Sequence, residues 1–317
     1  MTRPRVLLAE PLDFSESART ILEGVASVDV GPVDARGLRA AFQSHDAIWI
    51  RLGHRIDAAC IGSSPRCRVL AVPTTGLDHI DLEACRAASI RVLSLRGEVE
   101  FLKTIRATAE LTLGLLLALN RRLPGALASV LDGAWDRDSF RGQELYGRTA
   151  GVVGLGRLGT IVASYLAALG MRVLGVDPRA DYPSNIAQRM PSLDALLEES
   201  DVVSLHVDYS PTTHHLLSAP QFARMKPGSV LINTSRGGVV DSAALLEALE
   251  GGRLAGAALD VVEDEPIKNG DHPLVRYARQ HSNLLIVPHI GGNTYQSFER
   301  TEVFIAERLA TALQELT

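Results

Sequence analysis

Short apolar runs alternate with longer amphipathic stretches through the first hundred residues of the chain. The short runs predict strands and the longer stretches, with apolar residues at helical spacing, predict helices. The predicted strands are residues 5–9, 47–51, 69–72 and 91–94, and the predicted helices are residues 15–23, 34–43 and 81–88. Such alternation is typical of βαβ units around a parallel sheet.

A longer helical pattern follows this first series. Residues 103–122 are dominated by Ala, Leu and Thr, and Pro124-Gly125 interrupts the pattern. Proline and glycine are the strongest local breakers of a helix. We therefore expect a hinge or a domain crossing at Pro124-Gly125.

A second alternating series begins after Gly147 and predicts another α/β domain. Its predicted strands are residues 149–153, 172–177, 202–206, 229–233, 256–262 and 284–287, with a helix at 157–169. A last helix at 294–316 has no strand after it, so we expect it to pack back on the first domain. The predicted fold class is α/β, with two doubly wound parallel-sheet lobes.

Composition narrows the class of protein. The chain has 317 residues, more than one hydrophobic core usually organises, which favours two domains. Its formal charge of −5 disfavours nucleic acid as a partner. The apolar stretch 111–119 is too short to span a membrane, and the run after the N-terminus is too short for a signal sequence. Cys60, Cys67 and Cys85 lack metal-ligand spacing, so we expect no metal site and a cytoplasmic location.

One glycine-rich segment lies between a predicted strand and a predicted helix. Gly154-Leu-Gly156-Arg-Leu-Gly159 has the spacing G-x-G-x-x-G. In dinucleotide-binding folds the first glycine permits a tight turn, the second lets the backbone approach a pyrophosphate, and the third lets the helix pack against the strand. No lysine follows at the P-loop position, which disfavours ATP hydrolysis by that route.

The acidic end of the next strand indicates which dinucleotide is bound. Asp177 follows Gly156 by 21 residues (177 − 156 = 21). A carboxylate there accepts hydrogen bonds from an adenosine ribose and repels a 2′-phosphate, which favours NAD over NADP. Two alternatives stay open, since Arg179 would permit use of both cofactors and Asp177 could be only a turn residue before Pro178.

Three side chains that could take part in catalysis follow the last three predicted strands, residues 229–233, 256–262 and 284–287. Arg236, Glu265 and His289 each come a few residues after a predicted strand, where ligands of open parallel sheets bind. Each alone could be a surface charge or a structural histidine, but together they favour a catalytic site. Arginine grips a carboxylate or carbonyl oxygen through two donors. Histidine exchanges a proton near neutral pH, and a neighbouring carboxylate orients it.

With these motifs the sequence resembles the D-2-hydroxyacid dehydrogenase family over nearly its whole length. The matching segments besides the glycine loop are residues 75–81 (TGLDHID), 108–110 (TAE), 233–241 (NTSRGGVVD), 258–266 (ALDVVEDEP) and 288–292 (PHIGG). The separations of the three candidate residues also fit the family, at 265 − 236 = 29 and 289 − 265 = 24. Members of this family include D-3-phosphoglycerate dehydrogenase.

The resemblance implies an NAD-dependent oxidoreductase that interconverts a D-2-hydroxy acid and its 2-oxo acid by hydride transfer. It implies that His289 is the acid/base, that Glu265 is its partner, and that Arg236 binds the substrate carboxylate and polarises the carbonyl. Backbone N–H groups of Thr75 and Gly76 would also bind the carboxylate. The implied contacts to NAD are Gly154, Gly156, Arg157, Leu158, Gly159, Asp177, Thr234, Ser235, Asp260, Gly291 and Gly292.

The resemblance also implies an architecture. A flavodoxin-like substrate domain would comprise residues 1–100 and 291–317, and a Rossmann NAD-binding domain residues 101–290. The family usually forms homodimers through the nucleotide domain. From the length of 317 residues we expect no regulatory domain of the kind that longer members carry at the C-terminus.

Three departures from the family bear on substrate and cofactor contacts. Thr74 stands where the family usually has glycine, residues 94–106 form a longer segment, and Asp208 stands where proline is frequent. The first affects the acid-binding loop, the second the substrate pocket and the third a cofactor-side contact.

Positive charges gather in two segments. The longer segment carries Arg96, Lys103 and Arg106, and a strand of the first domain is followed by Arg51, His54 and Arg55. Such a cluster would suit a substrate with a second anion, such as 3-phosphoglycerate or a dicarboxylic acid, and on this basis we assign Arg51 to substrate binding. The alternative is that several of these are ordinary helix-surface charges.

Two other functions remain open at this stage. An NAD(H)-binding sensor or corepressor-like protein could have the same fold, although such proteins carry extended tails and this chain ends at Thr317 after a helix. A methyltransferase also uses a glycine loop and an acidic strand end, but it has no use for Arg236, Glu265 and His289.

Overall fold

The computed structural model describes residues 3–179, 185–267 and 270–316, and within them the strands form two parallel sheets. The described residues 3–104 and 294–316 belong to one unit and residues 105–293 to a second. The α/β fold class with two parallel-sheet lobes is therefore confirmed.

The first unit is built on a sheet with the order β2-β1-β3-β4-β5. Its strands are β1 (Arg5–Leu8), β2 (Ser27–Val30), β3 (Ala47–Trp49), β4 (Val69–Val72) and β5 (Arg91–Ser94). Its helices are α1 (Glu16–Val25), α2 (Ala35–Ser44), α3 (Ala58–Ile61), α4 (Leu82–Ala87), α5 (Val99–Leu102) and α13 (Tyr295–Glu315). This is the flavodoxin-like strand order. β2 lies on one side of β1 and the later strands are added on the other side, so the strand order changes direction between β1 and β3.

The last helix completes the first unit, as the sequence predicts. α13 packs along α1 and against β4 and β5. The buried carboxylate of Glu302 on α13 accepts hydrogen bonds from the backbone N–H of Ser15, at 2.7 Å, and from Arg51 Nε, at 2.9 Å. Phe304 of α13 stacks on Phe101 of α5, with ring centroids 4.1 Å apart. Polar and aromatic contacts thus tie this helix to elements that come more than 190 residues earlier in the sequence.

The second unit is built on a sheet with the order β12-β11-β10-β9-β6-β7-β8. Its strands are β6 (Thr149–Val153), β7 (Arg172–Val176), β8 (Gln188–Arg189), β9 (Val202–Leu205), β10 (Ser229–Asn233), β11 (Leu254–Leu259) and β12 (Leu284–Ile286). Its helices are α6 (Ala107–Asn120), α7 (Leu123–Leu131), α8 (Arg157–Ala168), α9 (Leu193–Glu199), α10 (Ala219–Arg224), α11 (Ser242–Glu250) and α12 (Pro273–Ala278), with 3₁₀ turns at Asp138–Phe140 and Gly237–Val239. This is a Rossmann sheet whose order reverses between β6 and β9.

Helices cover both faces of the second sheet, which explains its nearly continuous apolar strands. Adjacent residues of a strand point to opposite faces, and Val152 and Val153 accordingly belong to two different hydrophobic clusters. All four residues of β9 and all five of β10 are buried. A parallel sheet with both faces covered needs strands of this composition.

The predicted crossing at Pro124-Gly125 is wrong. α6 ends at Asn120, and Arg122 has the left-handed φ of 54°, which breaks the helical path. Pro124 then lies in the first turn of α7, where a missing N–H costs no hydrogen bond. The chain passes between the two units at residues 104–105 instead.

Candidate active site

The glycine loop joins β6 to α8 as predicted. Gly154 has φ of 86°, a left-handed conformation that favours glycine, and its N–H donates to Val176 O at 2.8 Å. A Cβ on Gly159 would lie 1.9 Å from Gly154 O, so the start of the helix could not pack this closely against the strand with any other residue. Backbone conformation and packing within the protein therefore account for glycine at both positions, whether or not a ligand binds.

Gly156 is different, because the protein's own packing does not require it. A Cβ there would meet no heavy atom closer than Arg179 Nη2, at 4.0 Å. Gly156 is also the N-cap residue of α8, with the open N–H groups of the helix beside it. The space and the donors fit the pyrophosphate of a dinucleotide. Arg157, in the first turn, is partly buried and donates to Ile105 O at 3.1 Å; burial lowers the pKa of its guanidinium.

Asp177 lies directly after β7, with its carboxylate beside the glycine loop. Oδ2 accepts a hydrogen bond from Leu155 N at 2.7 Å, and Arg179 donates to both carboxylate oxygens, at 2.9 and 3.0 Å. Burial opposes ionisation, but these hydrogen bonds outweigh it and hold the pKa of Asp177 below its usual value. The carboxylate is therefore charged at neutral pH, and Arg179 balances that charge.

Arg236, Glu265 and His289 follow the three neighbouring strands β10, β11 and β12. Because these strands are parallel, their carboxyl ends share one edge of the sheet. The structure brings His289 and Glu265 into direct contact, with Nδ1 2.7 Å from Oε1 and about a third of each side chain exposed. A carboxylate only accepts, so Nδ1 carries the proton of this hydrogen bond and Nε2 is left to exchange a proton.

Asp260, at the end of β11, shapes the turn that carries His289. Its carboxylate accepts hydrogen bonds from the N–H groups of Ile290, at 2.7 Å, and Gly291, at 2.9 Å. Burial raises the pKa of Asp260, although both hydrogen bonds oppose that rise. His289 has φ of 54°, and left-handed backbone in a residue other than glycine is uncommon and concentrated at functional sites. Asp260 thus anchors the two residues that follow His289 in this turn.

A polar network fixes the turn before Arg236. Asn233 Oδ1 accepts from Ser235 N at 3.0 Å and from Ser235 Oγ at 2.7 Å, while Asn233 Nδ2 donates to Arg236 O at 3.0 Å. Arg236 Nη1 donates to Ser235 O at 2.7 Å. The backbone of the turn is therefore held from the end of β10, and Arg236 is half-buried.

The structure also shows polar contacts that the sequence pattern did not indicate. The Oγ1 atoms of Thr112, on α6, and Thr234 lie 2.8 Å apart in the core. His206 follows β9 and is half-buried, and burial of its ring lowers its pKa to about 3, so it is neutral. Its Nε2 is 2.8 Å from Ser204 Oγ. No periodicity marks such tertiary contacts; the strand-end position of His206 was the one available signal.

In the first unit, the structure places the predicted substrate residues at the carboxyl ends of two neighbouring strands. Thr75 is exposed and Gly76 half-buried in the turn after β4, where Thr74 Oγ1 donates to Gly76 O at 2.9 Å. Arg51 follows β3, but its guanidinium contacts Glu302 and Leu12 O and lies over the Phe298 ring, 4.6 Å from its centroid. Its established contacts are thus with the protein, and its role toward substrate stays a prediction.

Among the described residues, no helix is long and apolar enough to cross a membrane. Over the same ranges, no group of three or more His, Cys, Asp or Glu side chains is arranged to hold a metal ion.

Comparisons with known proteins show which family the chain is similar to. Residues 113–291 match the family model described as "D-isomer specific 2-hydroxyacid dehydrogenase, NAD binding domain". The D-3-phosphoglycerate dehydrogenase of Mycobacterium bovis is 36% identical over 316 residues, which are 99% of this chain and 57% of the relative. The chain thus spans little more than half the length of that relative.

Solved structures cover the chain almost completely. A crystal structure of a protein from Thermus thermophilus has 38% sequence identity and a TM-score of 0.84, covering 98% of this chain and 97% of its own. The D-lactate dehydrogenase of Aquifex aeolicus, complexed with NAD and lactic acid, has 30% identity and a TM-score of 0.82, covering 98% and 95%.

Proposed function

Because the chain belongs to the D-isomer specific 2-hydroxyacid dehydrogenase family, we propose that it is an NAD-dependent oxidoreductase that interconverts a D-2-hydroxy acid and its 2-oxo acid. The observation that carries this proposal is the His289–Glu265 contact of 2.7 Å, made by residues that follow β12 and β11, and β11 pairs with β10, the strand that Arg236 follows. A proton-exchanging pair beside a carboxylate-binding arginine is what this reaction needs. The proposed activity is the one that the sequence motifs imply.

His289 is the acid and base of the proposed reaction. In the oxidation direction its Nε2 accepts the proton of the substrate hydroxyl while a hydride leaves the same carbon atom. In the reduction direction Nε2 returns the proton to the carbonyl oxygen. Glu265 keeps the ring oriented through Nδ1 and stabilises the imidazolium that forms. Arg236 binds the substrate carboxylate and polarises the carbonyl, and Thr75 and Gly76 supply further N–H donors to the carboxylate.

We assign NAD binding to the second unit and substrate binding to the first. NAD, when bound, accepts or supplies the hydride. Gly156 admits its pyrophosphate in the loop that Gly154 and Gly159 shape, and Asp177 accepts from the adenosine ribose. The remaining contacts are those that the resemblance implies: Arg157, Leu158, Thr234, Ser235, Asp260, Gly291 and Gly292.

Replacing Asp177 with alanine should shift cofactor preference toward NADPH. The change removes the acceptor for the ribose hydroxyl and the charge that repels a 2′-phosphate, and it frees Arg179 to contact that phosphate. We expect the ratio of kcat/KM for NADPH to that for NADH to rise at least about tenfold, as the loss of one charge-assisted hydrogen bond allows. Glu199→Ala, which removes an exposed carboxylate from another arginine, Arg172, is the matched control. An unchanged ratio would reject the assignment of Asp177.

The proposed substrate carries a second anion, a phosphate or a further carboxylate. One support is that relatives at 34–36% identity are named D-3-phosphoglycerate dehydrogenase. The other is charge, since Arg55 and Arg96 are exposed and form no ion pair with any residue that the structure describes. Lys103 is committed instead to Glu100, at 2.6 Å, and Arg51 to Glu302. Arg55 and Arg96 are therefore better candidates than Arg51 for contacting the second anion of the substrate.

A screen of NADH oxidation across 2-oxo acids tests both the activity and the substrate class. We expect 3-phosphohydroxypyruvate or a dicarboxylic 2-oxo acid to give a higher kcat/KM than neutral acids such as pyruvate. A higher kcat/KM for neutral acids would contradict the second-anion proposal while supporting the activity. NADH binding without turnover of any 2-oxo acid would favour a sensor, and binding of S-adenosylmethionine without NADH would contradict the dehydrogenase proposal altogether.

We also propose a homodimer formed through α7. This helix has no buried residue within its unit, and Leu123, Leu127, Val130 and Leu131 recur at helical spacing along one face. Leu131 is 87% exposed, and Trp135, just beyond the helix, is 90% exposed. A second copy of the chain is the occupant that the family resemblance indicates, and a two-fold axis would pair the same face with itself.

Leu127→Glu combined with Leu131→Glu should convert this dimer to a monomer. Burying two carboxylates in an apolar interface costs free energy, so the two chains of the dimer should dissociate. Light scattering after size exclusion should show the mass halved, with a normal circular dichroism spectrum. Leu12→Glu, at an exposed leucine of the first unit, should leave the mass at twice that of one chain. A wild-type protein of single-chain mass would contradict the proposal.

A cytoplasmic location fits the chemistry of the cysteines. Cys60, Cys67 and Cys85 are free, and burial raises the pKa of Cys67 to about 12 and of Cys85 to about 11. Protonated, enclosed thiols persist in a reducing compartment. The partner we propose is a small hydroxy or oxo acid, with no nucleic acid, in keeping with the charge of −5.

A further inference from the structure

The turn before Glu265 and the turn after Arg236 are in close contact. A Cβ on Gly237 would lie 2.0 Å from the backbone carbonyl of Val262, so the two backbones touch there. Asp264 has φ of 58°, which shows that the turn leading to Glu265 departs from ordinary backbone. Two catalytic side chains are thus carried by adjoining turns whose shapes depend on what holds them.

His215 is bonded to both turns. Its backbone N–H donates to Gly238 O at 2.9 Å, two residues after Arg236. Its Nε2 lies 2.6 Å from Glu263 Oε1, two residues before Glu265. Glu263 Oε2 in turn accepts from Ser242 N at 3.1 Å, at the start of α11. One residue therefore links the Arg236 turn and the Glu265 turn by a backbone bond and a side-chain bond.

The surroundings of His215 hold its ring in place. The His214 ring stacks on it with centroids 3.9 Å apart, and Asp241 Oδ2 lies 3.9 Å from its Nδ1. His215 itself has φ of 49°, a left-handed conformation for a residue other than glycine. The bond from His215 lowers the pKa of Glu263 although burial opposes it, so Glu263 is an anion at neutral pH. The link is a charge-assisted hydrogen bond, the stronger kind.

On the basis of this geometry, and resting on the function proposed above, we propose that His215 and Glu263 are positioning residues that hold Arg236 and Glu265 in their working arrangement. Neither touches the reacting atoms in this assignment. Loss of the link displaces Glu265 from His289, which lowers kcat. It also displaces Arg236, which weakens the grip on the substrate carboxylate and raises KM. The glycine loop is held by other contacts, so NADH affinity should not change.

The test compares His215→Leu, His215→Gln and the wild type in steady-state reduction of the best 2-oxo acid from the screen. Leucine fills the space without donating, and we expect kcat to fall about tenfold and KM to rise about tenfold, with the Kd of NADH and the melting temperature nearly unchanged. The amide of glutamine can donate from near the position of Nε2, so His215→Gln should recover most of the loss. His281→Leu is the matched control, an exposed histidine that stacks on Tyr277.

A second variant covers the case in which His215→Leu does not fold. Glu263→Gln keeps the shape of the side chain but removes its charge, and it should change kcat and KM in the same directions to a smaller extent. Wild-type kinetics in either variant, a His215→Gln variant as slow as His215→Leu, or a loss explained wholly by weaker NADH binding would overturn the proposal. If the wild-type protein turns over no 2-oxo acid, the proposed function fails, and this assignment fails with it; an active wild type with unaffected variants rejects the assignment alone.

Discussion

Replacing His289 with asparagine should lower kcat by about 10²–10⁴-fold, the usual contribution of a general acid and base. The amide nitrogen of asparagine can take the place of Nδ1 beside Glu265, and asparagine tolerates the left-handed backbone at this position. What the variant lacks is Nε2, the atom that exchanges the proton. His289→Ala should be at least as slow, because it also loses the contact with Glu265. The measurement is steady-state NADH oxidation at saturating 2-oxo acid.

Cofactor binding separates this loss from a general disruption of the site. Fluorescence titration should give both His289 variants an NADH Kd close to that of the wild type, because the glycine loop and Asp177 are untouched. Comparable kcat in His289→Asn and the wild type would remove His289 from the acid/base role. A large loss of NADH affinity would indicate instead that the turn at 289–291 had changed shape.

Replacing Arg236 with lysine should lower kcat/KM for the 2-oxo acid by about 10²-fold or more, although the positive charge is kept. A guanidinium presents two parallel donors to a carboxylate, whereas an ammonium is a point charge that cannot reproduce that geometry. Asn233 and Ser235 hold the backbone of the turn independently of the side chain at 236, so the variant should fold. Saturation kinetics with the 2-oxo acid at fixed NADH measures the effect.

Arg224→Lys provides the matched control for that experiment. Arg224 lies exposed on α10 and pairs with Asp194 and Glu198, so exchanging its guanidinium should change kcat/KM little. If Arg236→Lys behaved like Arg224→Lys, the two-point grip on the substrate would be wrong. A further fall in Arg236→Ala beyond that in Arg236→Lys would measure what the charge alone contributes.

Local patterns were sufficient for the framework of the fold. Strands β4, β5, β6 and β10 have the predicted bounds, because each contains a short apolar run that ends at a polar residue, a proline or a glycine. β2 was missed, and it lies at the edge of its sheet with Ser27 and Asp29 breaking the apolar run. β8, at another edge, has only two residues. An edge strand buries less surface and so tolerates polar residues, and neither β2 nor β8 has the continuous apolar run that would mark it in the sequence.

For the candidate site, the sequence predicted which residue types follow which strands, and the structure adds what holds them. The Asp260 carboxylate bonds to residues 30 and 31 positions later, and Glu263 contacts His215, 48 positions earlier. Contacts at such separations follow from the order of strands in the sheet and have no periodicity in the chain. Arg51 illustrates the converse, since a cation after a strand suggested a substrate contact and the structure shows it bonded to Glu302.

Because α13 belongs to the first unit, that unit cannot finish folding until late in translation. The first sheet is complete in sequence at Ser94, but α13 begins at Tyr295, 201 residues later (295 − 94 = 201). At translation rates of about 5–20 residues per second, the strands wait about 10–40 seconds for their last helix. During that interval Arg51 and the Ser15 N–H lack the Glu302 carboxylate, and the apolar surface that α13 covers is open to water. The unit that is synthesised first is therefore completed only after the second unit, and we expect its uncovered apolar surface to be a binding site for chaperones during that interval.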